Sequence, residues 1–417
     1  MLDSKDTLLI SIYALAQDRS KPLTLERVLE LAKIELDINP PPPPSRLHAG
    51  TALFYADRYM SVMLETRLYD YFPFSELKES QMWSPSGSGS FGQDTSLQWV
   101  ARQLLAGIPP DEIIHIAHNQ YMENGYDALE ITKVTGIEVT EIVEVTAGYE
   151  LWPRDRLPED FRNRLLFDNA GLPFQIGSSC ALVHHMRHSR VIDPDYRLDI
   201  DGDWPEDRFL PGNITRANKR LDIKRAIILS GTLAVSMPFT YCRATTDHIL
   251  DADRSYYGSH EPTGHGSAKL DIDAVRSNLS LIENFRSPVA LSVAIDRLGK
   301  ARSWQSSADR ALDLGMALEI ALMHESGNKS GANTEITNKL SSRAAWLLGR
   351  DPAERKEAYN TAKKIYGHRS AAAHSGRLRR EDEFVKLDGN GFVTHTLLEI
   401  LRRGDFPVWD DLVLGLE

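Results

Sequence analysis

Apolar positions recur at helical spacing over residues 1–35, with a break near Pro22. Beyond it Leu25, Val28, Leu29 and Ala32 form one stripe. Residues 40–44 are five consecutive prolines, a stiff extended spacer. Helical signals return over residues 50–68 and again over 95–121, where Leu97, Val100, Ala101 and Leu104 share a face and Gly107 stops the run. Near Ile131 the period changes. In ITKVTGIEVTEIVEVTAGYELW, Ile137, Val139, Val143 and Val145 partly alternate with polar residues, which predicts strands. RAIILSGTLAVSMPFTY, residues 225–241, reads the same way, and the Asp-, Pro- and Gly-rich interval between the two reads as loops.

From about residue 270 helix dominates. LDIDAVRSNLSLIENF and SPVALSVAIDRLGKA are amphipathic; ADRALDLGMALEIALMHE places Leu312, Met316, Glu319 and Met323 on one stripe; TEITNKLSSRAAWLLG closes at Gly349. The next helix has a clear start, with Asp351 as cap, Pro352 in the first helical position and Glu354 where a capping box places its acid. It runs to about His374, and Ser375-Gly376 ends it. VTHTLLEILRR reads as the last helix. The predicted fold class is α+β: a mostly helical region over 1–125, a strand-rich α/β region over 126–265 and an all-α bundle over 266–417.

Composition narrows the class. Of 417 residues, 42% are apolar and 26% charged, the balance of an ordinary folded protein with cores for two or three domains. The formal net charge of −11 repels nucleic acid overall, so an RNA contact needs a local basic patch. Residues 363–380 supply one, with Lys363, Lys364, Arg369, Arg377, Arg379 and Arg380 and no acid. The two cysteines, Cys180 and Cys242, are too few for a disulfide framework or a Cys-only zinc site and fit a reducing compartment. The N-terminal stretch carries acids and lacks a basic leader and cleavage site, so it reads as a helix rather than a signal peptide. No run reaches the roughly 18 apolar residues that a membrane span requires. A cytoplasmic protein without a membrane partner is expected.

The capped helix carries the candidate chemistry. Its apolar stripe runs through Ala358, Ala362, Ile365 or Tyr366, Arg369 and Ala373, so Arg369 falls on or beside the buried face. A guanidinium there needs a carboxylate or phosphate partner. Glu319 interrupts an apolar stripe in the same manner and Arg343 sits between Leu340 and Leu347; these charges either pair or line a shared pocket. His374, five residues after Arg369, lies about 140° round an ideal helix and at a helix C-terminus, where the dipole favours positive charge. An imidazole near a fixed guanidinium suits phosphodiester cleavage, one moving protons and the other stabilising the phosphorane charge. On spacing alone, a histidine at a helix end is more often a cap or a surface group.

The helices bearing LDLGMALEIAL, SSRAAWLLG and YGHRSAAAHSG, in that order, resemble the HEPN superfamily, specifically its Apea-like branch, over roughly residues 270–400. The last carries the family's Arg-x4-His motif as Arg369-Ser370-Ala371-Ala372-Ala373-His374. The resemblance implies a C-terminal HEPN bundle of four to five helices that forms a homodimer or larger even oligomer through the motif helices. It also implies a metal-independent endoribonuclease with no cofactor, in which the RNA 2′-hydroxyl attacks the adjacent phosphate and leaves a 2′,3′-cyclic phosphate. Carried over, Arg369 and His374 are the catalytic pair. Ser370, Glu319, Arg343 and His368 are expected to support them, and the basic patch of Lys363, Lys364, Arg377, Arg379 and Arg380 to bind RNA. The family usually has Asn, Asp or His after the arginine, where this chain has Ser370. Members controlled by tyrosine adenylylation carry Tyr two residues after the histidine; Gly376 stands there, so that control is not expected. The family's setting is bacterial antiviral or toxin-like defence, with the N-terminal region sensing a phage or cellular trigger. The alternative is a catalytically inactive HEPN scaffold for dimerisation or binding.

Other patterns are weaker. GSGSFG, residues 87–92, matches G-x-G-x-x-G, but no β-branched strand precedes it, so it reads as a flexible loop. Cys180, His184 and His188 fall at i, i+4 and i+8, the spacing of one helix face that could hold a metal, with His185 adjacent; without a further ligand a polar helix face is the simpler reading. Asp199, Asp201 and Asp203 resemble the start of a calcium loop, but Gly202 is misplaced. His260 and His265 lie in a Gly-rich loop and read as solvated. A metal-dependent nuclease in the N-terminal region would rest on these His and Asp clusters alone.

Overall fold

The computed structural model describes residues 4–38, 64, 67–79, 81–84, 87–90, 92–123, 125–157, 179–188, 192–193, 213–250, 254–257, 268–303, 306–324, 336–378 and 380–416. The proline run, most of residues 50–68, and Asp199, Asp201, Asp203, His260, His265 and Arg379 lie outside them. The fold is mixed α+β. Helices α1 (Ser4–Gln17) and α2 (Leu25–Ile38) form on either side of the Pro22 break. Then come α3 (Phe74–Glu79), the hairpin β1 (Gln81–Ser84) and β2 (Gly87–Ser90), α4 (Gly92–Leu105) and α5 (Pro110–Met122). Leu29, Phe74, Trp99, Val100 and Ile113 join α2 to α5 in one apolar core.

The strand-rich part contains β3 (Tyr126–Thr135), β4 (Ile137–Glu138), β5 (Val143–Thr146), β6 (Tyr149–Pro153), β7 (Ser179–His188), β8 (Ile192–Asp193), helix α6 (Asn213–Ser230), β9 (Phe239–Ala244), β10 (Arg254–Tyr257) and β11 (Ala268–Lys269). Six strands form an antiparallel sheet in the order β10-β9-β3-β7-β6-β5; β8 joins β1, and β11 pairs in parallel with β4. Alternation puts Tyr126, Ala128, Glu130 and Val134 on one face of β3, and that face meets two cores along its length. Tyr126 and Ala128 enter the core of α2, α4 and α5, whereas Val134, with Cys180, Leu182 and Leu151 from the neighbouring strands, enters a second core shared with the C-terminal helices. Between them Glu130 is buried and faces Arg216 and Arg220 of α6 and His184 of β7.

Three readings of this part are corrected. Residues 225–230 belong to α6, and only residues 239–241 of the predicted 225–241 strand lie in β9. Ile223, Ala226, Ile227, Ile228 and Leu229 are all buried between the sheet and the helices that follow, and burial all round a helix erases its polar stripe. Arg225 still marks the helix, reaching back to Asp222 at 2.9 Å and across to both oxygens of Asp296 at 2.9 and 3.0 Å. Second, the Gly87-rich segment is not an open loop: Gly87–Ser90 pairs with Gln81–Ser84. Third, Cys180, His184 and His188 lie on a strand, not a helix, in an interval read as loops. The Cys180 thiol is buried and pushed up to about 12 by desolvation, and the His184 ring stacks on Tyr149 at 4.2 Å. Among the described residues no three His, Cys, Asp or Glu side chains gather to hold a metal ion.

The C-terminal part is α7 (Ile272–Glu283), α8 (Pro288–Ser303), α9 (Ser307–Met323), α10 (Ile336–Leu348), α11 (Pro352–Ser375), α12 (Glu381–Lys386), α13 (Gly389–Arg402) and α14 (Trp409–Leu414). The helix VTHTLLEILRR is therefore not the last. α9 is the hub, packed against α8, α10, α11, α12 and α13; α6 packs on α7 and α8. The stripe Leu312, Met316, Glu319 and Met323 is the half-buried side of α9, while Ala311, Leu314, Ala317, Leu318, Ala321 and Leu322 fill the core. Among the described residues no helix is long and apolar enough to cross a membrane.

The start and stop of α11 follow from local chemistry. Asp351 accepts from the Ala353 and Glu354 backbone N–H groups at 2.8 and 2.9 Å, and Glu354 returns the bond to the Arg350 N–H at 2.8 Å. At the other end Gly376 adopts φ +64 and its N–H donates to Ala372 O at 2.8 Å, closing the helix in a conformation costly for any residue with a Cβ. Asp351→Ala should lower stability by about 1 kcal/mol, the usual cost of losing a cap. Urea unfolding of the two proteins checks this; an unchanged midpoint would refute it.

Candidate active site

Arg369 reaches its place through a close approach of two helices. Ala358, Ala362, Ile365 and Tyr366 bury one face of α11; the stripe ends on Ala372, and Ala373, expected on it, is exposed. Where α11 crosses α9 the residue opposite Arg369 is Gly315, and a methyl there would overlap Cβ and Cγ of Arg369. The missing side chain lets the Arg369 stem lie against the α9 backbone. One turn on along α9, Glu319 Oε2 meets Arg369 Nη2 at 3.2 Å.

The pair is neither sunk nor free, its side chains being 28% and 30% exposed. Its contact is poorly aligned: Arg369 Nε and Glu319 Oε2 are buried and, among the described residues, neither completes a hydrogen bond. A bidentate fork would satisfy both, so this is an ion contact with unused capacity. The Arg369 guanidinium also stands over the Tyr366 ring at 5.5 Å. Burial holds the Tyr366 hydroxyl above its ordinary range, the Glu319 carboxylate adds to this, and Arg369 opposes it. Arg369 and Glu319 line a cavity of about 450 Å³ with Met316, Ile320, Met323 and His324.

The other expected site residues divide. His374 is on the last turn of α11, exposed, and among the described residues its side chain has no hydrogen-bond or charged partner; it does not line the cavity. Ser370 is half-buried beside Arg369. The His368 ring packs edge-on against Phe384 at 5.2 Å, and desolvation holds it below the ordinary histidine value while Glu383 pulls it up. Arg343 is buried away from the cavity wall, donating to Leu322 O at 2.8 Å and standing 5.2 Å over Trp409, so it secures the C-terminal end of α9. Lys363, Lys364 and Arg377 are exposed, and Arg380 is paired with Glu383 at 3.1 Å. On an ideal helix Lys364 and Lys363 lie about 140° and 240° from Arg369, so the lysines do not rim its cavity.

Gly315, Tyr366 and His324 were not singled out from the sequence. Gly315 had a signal, since it lies four residues before Glu319 and so one turn away on the same helix. His324 had none, because its neighbour Phe406 is more than eighty residues away in the chain.

Gly315→Ala should cost about 1–3 kcal/mol as an overpacked contact and move Arg369 off Glu319; thermal melting and a crystal structure of the variant test both parts. His368 predicts a pH effect. Its folded-state pKa lies below 6.5, so the folded protein prefers the neutral ring. Its contribution is complete above that value and is lost as the pH falls through the folded-state pKa. Between about pH 7.5 and 5, His368→Gln should lose less stability than the parent protein; parallel urea titrations decide it. The chain matches no family model, no curated protein and no solved structure.

Proposed function

We propose that the helical C-terminal part is a metal-independent endoribonuclease of HEPN type, with Arg369 binding the scissile phosphate and His374 moving a proton. The observation that carries this reading is an Arg369 guanidinium held at the wall of a cavity by one badly aligned carboxylate, five residues before an imidazole that is exposed and, among the described residues, unpartnered. A partly exposed ion pair contributes about 0–1 kcal/mol, whereas a hydrogen bond to a charged group contributes about 1.5–3 kcal/mol. Phosphate can therefore replace or share the Glu319 contact at small cost. Exposed Lys363, Lys364 and Arg377 offer backbone contacts despite the acidic whole. Two copies joined along α11 would bring two Arg-His pairs to one cleft, as the family resemblance implies. A cytoplasmic defence effector whose N-terminal part senses a phage or cellular trigger is the matching biological role.

One observation favours a second reading. Arg369 already has a carboxylate partner and His374 lies off the cavity, as suits a HEPN scaffold that binds or dimerises without cutting. Incubation with mixed RNAs in EDTA separates the two. Wild type should leave 2′,3′-cyclic phosphate ends with chelator present. His374→Ala should cut roughly 100-fold more slowly or worse with RNA binding little changed; Arg369→Ala should lose both binding and cleavage. Normal cleavage by a folded His374→Ala protein removes His374 from the chemistry, and activity that chelator abolishes and a divalent ion restores excludes the mechanism. Light scattering should give a dimer or larger even oligomer, and an active monomer would contradict the two-copy cleft.

A further inference from the structure

We propose that His324 is a second proton-transfer residue of the Arg369 cavity, facing the phosphodiester that Arg369 holds; this rests on the reading of Arg369 as a phosphate-binding residue. Within the wall of that cavity Arg369, Glu319 and His324 are the groups able to carry charge, alongside Met316, Ile320 and Met323. His324 is the residue on which α9 ends, so its backbone leaves the helix and its ring is free of the α9 ladder. Two contacts fix it. Its carbonyl accepts from Trp409 Nε1 at 2.8 Å, and its ring lies tilted on Phe406 with centroids 4.3 Å apart. Among the described residues neither ring nitrogen has a hydrogen-bond or charged partner, although the side chain is half-buried. A histidine serving only to fill space has no need to put an unpaired imidazole on the wall of a cavity that also holds an under-satisfied guanidinium.

Position separates the two imidazoles. His374 is about 140° round α11 from Arg369 and some 7.5 Å further along its axis, off the cavity, whereas His324 shares the cavity with Arg369. The step then balances with two rings. Neutral His324 takes the proton of the 2′-hydroxyl as the O2′–P bond forms. Arg369 bears the charge that grows on the non-bridging oxygens. The P–O5′ bond breaks, and the leaving 5′ oxygen, projecting from the cavity into the two-copy cleft, takes a proton from a His374 imidazolium there. Exchange with water returns both rings to their starting states, and no oxidant, reductant or metal is consumed.

The test uses the full-length protein with its histidine rings isotopically labelled, and a short 2′-O-methyl RNA that binds but cannot cyclise. Addition of this probe should shift the His324 ring resonances in wild type and not in Arg369→Ala. With cleavable RNA, His324→Gln should lower kcat roughly 100-fold or more with little change in KM, and should remove one limb of the pH–rate profile; melting confirms that it folds. His324→Phe, which keeps a ring against Phe406 but cannot carry a proton, should behave the same way, which separates lost proton transfer from lost packing. A bound probe that leaves the His324 resonances still, with His324→Gln cleaving at the wild-type rate, overturns the assignment and leaves Arg369 and His374 in place. Cleavage that survives His374→Ala but not His324→Gln supports the proton transfer by His324 and sinks the role given to His374.

Discussion

The candidate site depends on how closely two helices approach at a point where one of them has no side chain. Gly315 on α9 receives the aliphatic stem of Arg369 on α11, and a single methyl would fill the space that the stem occupies. A guanidinium on a long flexible stem ordinarily reaches for solvent. Here the stem is pinned against backbone, so the charged end can go only along α9, toward Glu319 and the cavity beyond it. The cap at Asp351 sets where α11 begins and the apolar face through Ala362 and Ile365 fixes its rotation. Together they determine which residue meets Gly315.

The electrostatics of the pair match that placement. A fully buried ion pair would be held by the cost of leaving either charge alone in a medium of low dielectric. A fully exposed one would be screened and transient. At about 30% exposure, with one contact and two polar atoms unsatisfied, Arg369 and Glu319 are held in position without being sealed from solvent. Two other arrangements bury their charges more thoroughly. Glu130 lies at the centre of Arg216, Arg220 and His184 where α6 meets the sheet, and Arg343 is spent on a carbonyl and a tryptophan ring. Those two arrangements hold elements together; the Arg369 pair opens on a cavity.

The helical half of the fold was legible because its signals are local. Asp351, Pro352, Glu354 and Gly376 define α11 through contacts within four residues, and α7, α8 and α9 show their amphipathic period directly. The strand-rich half was legible where a strand alternates, as β3 and β5 do in part, and misread where burial is complete. The apolar run of α6 looks like a strand because both of its sides are covered, and β7 is missed because it lies in an interval rich in Asp, Pro and Gly and its Cys180, His184 and His188 fall at helical spacing. Each was decided by partners far away in the chain: Asp296 for α6, and β3 for β7.

At the site the division falls in the same place. The sequence by itself determined that Arg369 would sit at the margin of a buried face, that Glu319 would interrupt an apolar stripe, and that His374 would end a helix, because helical periodicity and capping are properties of neighbouring residues. Which charges meet was decided by the tertiary structure. On pattern alone Glu319 could pair with Arg369 or with Arg343; the crossing at Gly315 brought it to Arg369, and Arg343 turned instead to Leu322 and Trp409. The same crossing put His324 in the cavity and left His374 outside it, since a helix fixes the angle between its own residues but not what a second helix brings alongside them.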